Sequence, residues 1–237
     1  MKNKPTAGQA RISEIFSSLQ GEGTHLGEKH LFIRFEECHI HCTYCDELDK
    51  IGHPMTIEAV VSEANRLEAV EGPHGFVSLT GGEPLLYLDF LKPLITALKK
   101  KNFRIYLETN GILWKALAEV IQDIDLVAMD MKPASVTGEK NFDDDHRRFL
   151  EIAKQKETFI KIIISRELVV REFEEQLEIV RNVAPNTPVV LVPISGAIEG
   201  HEDPELMSFL QQLQALGMKK IPSVRIVPRF HKILNIR

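Results

Sequence analysis

Short apolar runs alternate along the chain with longer stretches in which apolar residues recur every three or four positions. The runs at 31–35, 76–79, 104–107, 126–129, 159–164, 189–192 and 224–227 read as strands, and the stretches at 57–70, 88–101, 112–122, 146–155, 170–183 and 203–216 as helices. Thr56 is placed to cap the first of these helices, with Glu58 and Glu63 early in it. Several strands are continuously apolar rather than alternating, the pattern of a parallel sheet covered by helices. The expected fold is α/β: an incomplete (β/α) barrel of about six parallel strands with covering helices. A doubly wound open sheet is the alternative, because periodicity does not register closure. Ahead of the repeats, residues 1–9 read as a flexible lead-in. A strand begins at 12–16, and the turn from Ser17 to Gly23 makes an N-terminal hairpin over about 10–30. A polar stretch after the first parallel strand ends at Pro54, and 134–145 reads as an acidic surface loop. No linker or low-complexity segment interrupts the pattern, so 1–237 is expected to be one domain.

Composition changes this picture little. Of 237 residues, 43% are hydrophobic and 27% charged, enough for a sizeable core. A net charge of −5 argues against a general nucleic-acid or membrane-surface binder. No apolar run approaches the ~18–20 residues needed to span a bilayer. The start of the chain lacks the apolar core of a signal peptide. With thiols that have no evident disulfide framework, this predicts a cytoplasmic protein.

The chemistry concentrates in Cys38-His39-Ile40-His41-Cys42-Thr43-Tyr44-Cys45, which holds all 3 cysteines of the chain. They lie just past the strand at 31–35, where α/β folds place their sites. Three thiols so close together are spaced to converge on one metal centre. Iron–sulfur clusters are commonly held by four thiolates, so three would leave one iron open to a ligand. The competing reading is structural zinc completed by His39 or His41; zinc modules usually pair two separated half-sites, and the spacing favours a cluster.

Three further strand ends carry candidates. Gly81-Gly82-Glu83-Pro84 offers a backbone edge without side chains, able to meet an amine through carbonyls or a carboxylate through N–H groups. Alternatively it is only a tight turn. Glu108 and Asn110 suit hydroxyls and amino-acid head groups, although Asn110-Gly111 also reads as a plain turn. Lys132, Lys161 and Arg34 sit at or within apolar strands and face either a cavity or solvent.

Together these motifs resemble the radical S-adenosylmethionine (SAM) superfamily. The cysteine loop after one strand and Gly-Gly-Glu-Pro after the next form a specific combination. Within the superfamily the chain resembles the 7-carboxy-7-deazaguanine synthase family. The resemblance also rests on Ser18-Leu19-Gln20-Gly21-Glu22-Gly23, Glu108-Thr109-Asn110-Gly111 and Pro228-Arg229-Phe230-His231-Lys232, in that order. It implies a 4Fe–4S cluster on Cys38, Cys42 and Cys45, with SAM chelating the open iron. It also implies conversion of 6-carboxy-5,6,7,8-tetrahydropterin to 7-carboxy-7-deazaguanine with loss of ammonia, in queuosine-type biosynthesis.

By the same resemblance Tyr44, Asp46, Gly82, Glu83, Glu108, Asn110, Asp130, Met131 and Lys132 lie beside SAM. Leu19, Gln20, Gly21, Arg34 and Thr80 face the pterin, joined by His231, Lys232 and Arg237 from the chain end. It further implies Mg2+, an electron donor such as flavodoxin or ferredoxin, and a homodimer. The chain departs from the family at Glu47, where a threonine usually helps hold magnesium, at Glu37 and His39 around Cys38, and in ending at Arg237. The alternatives are a paralogue or glycyl-radical-activating enzyme with another substrate, and a non-catalytic zinc-binding interaction domain. A carboxylate is a good hard-cation ligand. Glu47→Ala is therefore expected to weaken magnesium dependence more than cluster content, and an unchanged magnesium response in the activity assay removes Glu47 from the site.

Overall fold

A computed structural model describes residues 8–45, 50–194 and 203–230. Its opening strand, β1 (Gln9–Leu19), extends beyond the expected strand at both ends and pairs antiparallel with β2 (Lys29–Phe35). A further strand, β3 (His53–Thr56), pairs antiparallel with the start of β1 inside the stretch that reads as polar coil. Its polar, proline-containing sequence has no strand pattern of its own. Pairing with β1 draws it out, and buried Arg11 on β1 fixes the chain just before it by donating to the Gly52 carbonyl at 2.5 Å and to Glu36.

The repeating units then follow. They are α1 (Ile57–Glu71), β4 (Phe76–Gly81), α2 (Leu88–Lys99), β5 (Ile105–Thr109), α3 (Trp114–Val120) and β6 (Leu126–Met131). After these come α4 (Ala134–Thr137), α5 (Asp143–Ala153), β7 (Glu157–Ile164), α6 (Val170–Val183), β8 (Val189–Pro193), α7 (Pro204–Gly217) and β9 (Val224–Ile226). Thr56 caps α1, its hydroxyl oxygen accepting from the Ala59 N–H. β4, β5 and β6 each run two residues past the last apolar position used to predict them, because the hydrogen-bonded ladder continues through polar residues. The stretch at 134–145 is not all surface loop: it contains α4, and Val136, Thr137 and Phe142 are buried.

Among the described residues the strands form one sheet in the order β3-β1-β2-β4-β5-β6-β7-β8-β9. From β2 to β9 every neighbouring pair is parallel. A doubly wound sheet reverses its strand order at a switch point. Among the parallel strands, β2 and β4 to β9, the order never reverses, so right-handed crossovers keep the helices on one side and leave the other for an interior. The architecture is an incomplete barrel of seven parallel strands, β2 and β4 to β9, one for each of the seven apolar runs in the sequence, with the N-terminal hairpin on one edge. Helix side chains such as Leu91, Leu94, Phe149, Phe173, Leu177 and Leu210 join the strand side chains in a continuous apolar core.

The turn between β1 and β2 closes the base of this interior. His25 meets Glu157 at the start of β7, and its ring lies edge-on to Phe76 and Tyr106 near the starts of β4 and β5. Gly23 adopts φ +74, and a Cβ there would lie 2.4 Å from the buried Phe159 ring. Only glycine combines that left-handed conformation with so close an approach. Gly23→Ala is expected to lower stability by about 1–3 kcal/mol. Urea unfolding measures this, and an unchanged midpoint would show that the turn does not depend on the Phe159 contact.

Candidate active site

The upper ends of the parallel strands and the β1–β2 turn surround one cavity. Cys38, Cys42 and Cys45 line it with Tyr44, as do Leu19, Gln20, Gly21, Arg34 and Thr80. Gly82, Glu108, Asn110, Asp130 and Lys132 line it as well. Asp46, Glu47, His231, Lys232 and Arg237 lie outside the described residues.

The cysteine loop is held from behind. Cys42 packs with Ile40, Ile112 and Phe142 in a small apolar cluster against which Cys38 and Cys45 also rest. Thr43 donates from its backbone N–H to Thr137 O and from its hydroxyl to Val136 O, each at 3.0 Å. The short α4 is thus a buttress for the loop. Burial pushes the Cys38 and Cys42 thiols up, and pushes Tyr44 up to about 12. Among the described residues, no three histidine, cysteine or carboxylate side chains converge tightly enough to hold a single metal ion.

At the Gly81-Gly82 edge, Gly81 adopts φ +108, and a Cβ there would lie 2.3 Å from Phe35 O. The Gly82 and Glu83 N–H groups donate to Phe35 O and Glu37 O at 2.8 and 2.7 Å. Two donors of this edge are therefore spent within the fold.

Two expected residues turn away from the cavity. Glu83 is fully buried, its carboxylate accepting from the Thr109 hydroxyl at 2.9 Å and the Asn110 and Leu85 N–H groups at 2.8 and 3.1 Å. Burial pushes it up to about 7 against the pull of those donors. Its side chain ties the β4 end to the β5 end. Met131 lies in the main core: successive strand side chains point to opposite faces, so it faces away while Asp130 and Lys132 line the cavity.

The charged floor has Lys161, on β7, at its centre. Its amine donates to Glu22 at 3.0 Å and lies 3.3 Å from Asp130 and 4.0 Å from Glu108. Lys132 donates to Asp130 at 2.8 Å. Burial works against ionisation of Asp130, but Lys132 and Lys161 outweigh it and hold the carboxyl at about 2. Glu108 accepts from Gln20 Nε2 at 2.8 Å and from the Thr80 hydroxyl at 2.9 Å. Arg34 lies over the Phe16 ring and donates to Glu14 at 2.5 Å. Sequence reasoning left Glu22, Arg229, Phe16, Phe32 and Ile163 unassigned, yet all line the cavity. Only Glu22, between two glycines, and Arg229, in the C-terminal motif, gave a signal.

A fold of this kind with three thiols on the first strand-end loop defines a class. The radical SAM superfamily model matches residues 32–210, and the chain belongs to that superfamily. The 7-carboxy-7-deazaguanine synthase of Geobacter sulfurreducens is 33% identical, over 95% of this chain and 97% of that protein. The synthase of Methanopyrus kandleri is 31% identical, over 99% and 96%. Within the superfamily the chain therefore belongs to the 7-carboxy-7-deazaguanine synthase family. Among solved structures, QueE from Escherichia coli shares the fold at TM-score 0.64 and 20% identity, over 94% of this chain and 95% of that one. A TYW1 structure with a lysine-pyruvate adduct bound matches at TM-score 0.56 and 18% identity, over 81% and 74%. Membership of the superfamily implies a 4Fe–4S cluster and SAM.

Removing the central amine would take a cation from three carboxylates, of which Asp130 keeps Lys132 and Glu22 keeps Arg229. Lys161→Met is expected to cost about 3 kcal/mol at pH 7. Asp130 is held at about 2, below its unfolded value, so the stability it contributes is full above the unfolded pKa and fades as pH falls through the folded one; the share lost with Lys161 follows the same course. Urea unfolding at pH 7 and pH 3 tests this; an equal loss at both would show that the lysine's charge is not what matters.

Proposed function

We propose that this protein converts 6-carboxy-5,6,7,8-tetrahydropterin to 7-carboxy-7-deazaguanine and ammonia, supplying 7-deazapurine (queuosine-type) biosynthesis. Product and ammonia together contain every atom of the substrate, so the conversion needs no net oxidant. The observation that carries the proposal is the meeting of the cysteine loop, the Gly81-Gly82 edge and the Leu19-Gln20-Gly21 turn around one cavity, in a chain aligned over almost its whole length with these synthases.

Cys38, Cys42 and Cys45 would hold the cluster. A cubane sets each cysteine on a different iron, and three thiols from one loop lining the same cavity are the donor set that leaves one iron open. When bound, cluster and SAM would supply a 5′-deoxyadenosyl radical at the expense of one electron from an external donor, chemistry that belongs to the cofactors rather than the protein.

The protein's part is placement. With the Gly82 and Glu83 donors spent, the edge meets a ligand mainly through acceptors, which suits an ammonium such as that of SAM. Tyr44, Asp130 and Lys132 line the cavity together with the thiols, and the family resemblance adds Asp46 to the SAM-binding set. Glu83 and Met131 contribute through the loops they brace. Toward the pterin, Gln20, Thr80 and Glu108 form a hydrogen-bonded set, and Arg34 brings a fork of donors suited to a carboxylate. Leu19 and Gly21 adjoin them, and His231, Lys232 and Arg237 would close over substrate. Phe16, Phe32 and Ile163 supply apolar wall that excludes water from reactive species. The same reading includes Mg2+ at Glu47, a one-electron donor such as flavodoxin or ferredoxin, and a cytoplasmic homodimer.

Anaerobically reconstituted protein given the pterin, SAM, reductant and magnesium is expected to release the deazapurine acid and ammonia in equal amounts. Cleavage of SAM without turnover of that pterin would remove the substrate assignment while leaving the class untouched. Colourless protein carrying stoichiometric zinc would remove both.

A further inference from the structure

Asn110 stands at the end of β5 with its side-chain nitrogen 3.8 Å from Cys38 Sγ. The two ends of an amide are nearly alike in shape, so its orientation has to come from its partners. Asn110 Oδ1 accepts from the Ile112 N–H at 3.2 Å, which requires the oxygen on that side. The end facing Cys38 is therefore the NH2 group, a donor with no acceptor capacity.

The rest of the residue is pinned as firmly. Its backbone N–H donates to Glu83 Oε2 at 2.8 Å, and its carbonyl accepts from His146 Nε2 at 3.3 Å. His146 is fully buried, and Asn110 itself is only 5% exposed. Three elements thus hold one amide against one sulfur: the turn after β4, the end of β5, and α5.

We propose that Asn110 is a positioning residue that raises the reduction potential of the cluster by donating its side-chain N–H to Cys38 Sγ. The inference rests on Cys38, Cys42 and Cys45 being cluster ligands. A hydrogen bond to a ligand sulfur draws electron density from it and stabilises the state carrying the additional electron. Cluster potentials accordingly follow hydrogen bonding to the sulfurs and exposure to solvent. The superfamily resemblance puts Asn110 beside SAM; the geometry turns its amide to the metal's ligand instead. Glu83, which the same resemblance puts beside SAM, becomes part of the bracket that aims this donor.

The test is an electron-paramagnetic-resonance redox titration of full-length, anaerobically reconstituted protein without SAM, comparing wild type with Asn110→Ala and Asn110→Asp. Asn110→Ala removes the donor. Asn110→Asp keeps an oxygen for the Ile112 N–H and sets a second oxygen toward the sulfur. Both are expected to hold wild-type iron and sulfide. Asn110→Ala should favour the oxidised cluster by about tenfold, a shift of ~59 mV to lower potential for one electron, and Asn110→Asp by at least as much. Unchanged midpoints in both variants overturn the proposal. Loss of the cluster from both assigns Asn110 to scaffolding and overturns it equally. Wild-type protein that takes up no cluster overturns the cluster reading as well, which separates that failure from this one.

Discussion

One buried amine balances three carboxylates. Lys161 on β7 meets Glu22 from the β1–β2 turn, Glu108 from β5 and Asp130 from β6. Lys132 also pairs with Asp130, but Lys161 is the cation that reaches carboxylates from all three elements, and without it acidic side chains from separate elements would repel one another in a region of low dielectric. With it, the turn under the barrel is tied to the strands, and Asp130 keeps its charge at a fixed place on the cavity floor. The ion pair with Glu22 also reaches outward, since Arg229 contacts the same carboxylate at 3.3 Å. The interior can therefore be polar and still rigid, which a site that must orient two small molecules at once requires.

Above this floor the site is a set of strand ends bound to one another. Glu83 joins β4 to β5, Asn110 passes that connection to α5 and to Cys38, and α4 supports the cysteine loop from the other side. Few of these contacts face the cavity. They fix the backbone from which the cavity-lining groups project, so part of the site's precision comes from Glu83, His146 and α4, which do not line the cavity.

The fold was legible because its signals are local. Continuous apolar strands alternating with amphipathic helices announce a parallel sheet, and Thr56 marks a helix start with its own side chain. β3 left no such mark: His53-Pro54-Met55-Thr56 is extended because β1 lies beside it, a long-range cause. The site was legible where function demands unusual residues, as in three cysteines within eight positions or a lysine amid isoleucines. It was misread where the demand is geometric. Met131 shares a segment with Asp130 and Lys132 but alternates away from them, and Glu83 follows the glycine edge yet turns into the protein. Phe16, Phe32 and Ile163 look like any other core residues, and nothing in their identity says that they face a cavity.

The C-terminal segment also enters this arrangement, for the Phe230 N–H donates to Gly21 O at 2.9 Å beside the Arg229–Glu22 pair. The β1–β2 turn and the last described residue are thereby stapled together beneath the cavity. The cavity floor is thus assembled from residues some two hundred positions apart, so a chain cut short before Arg229 would lose both of these contacts with the turn while keeping the cysteine loop and the strand that carries it.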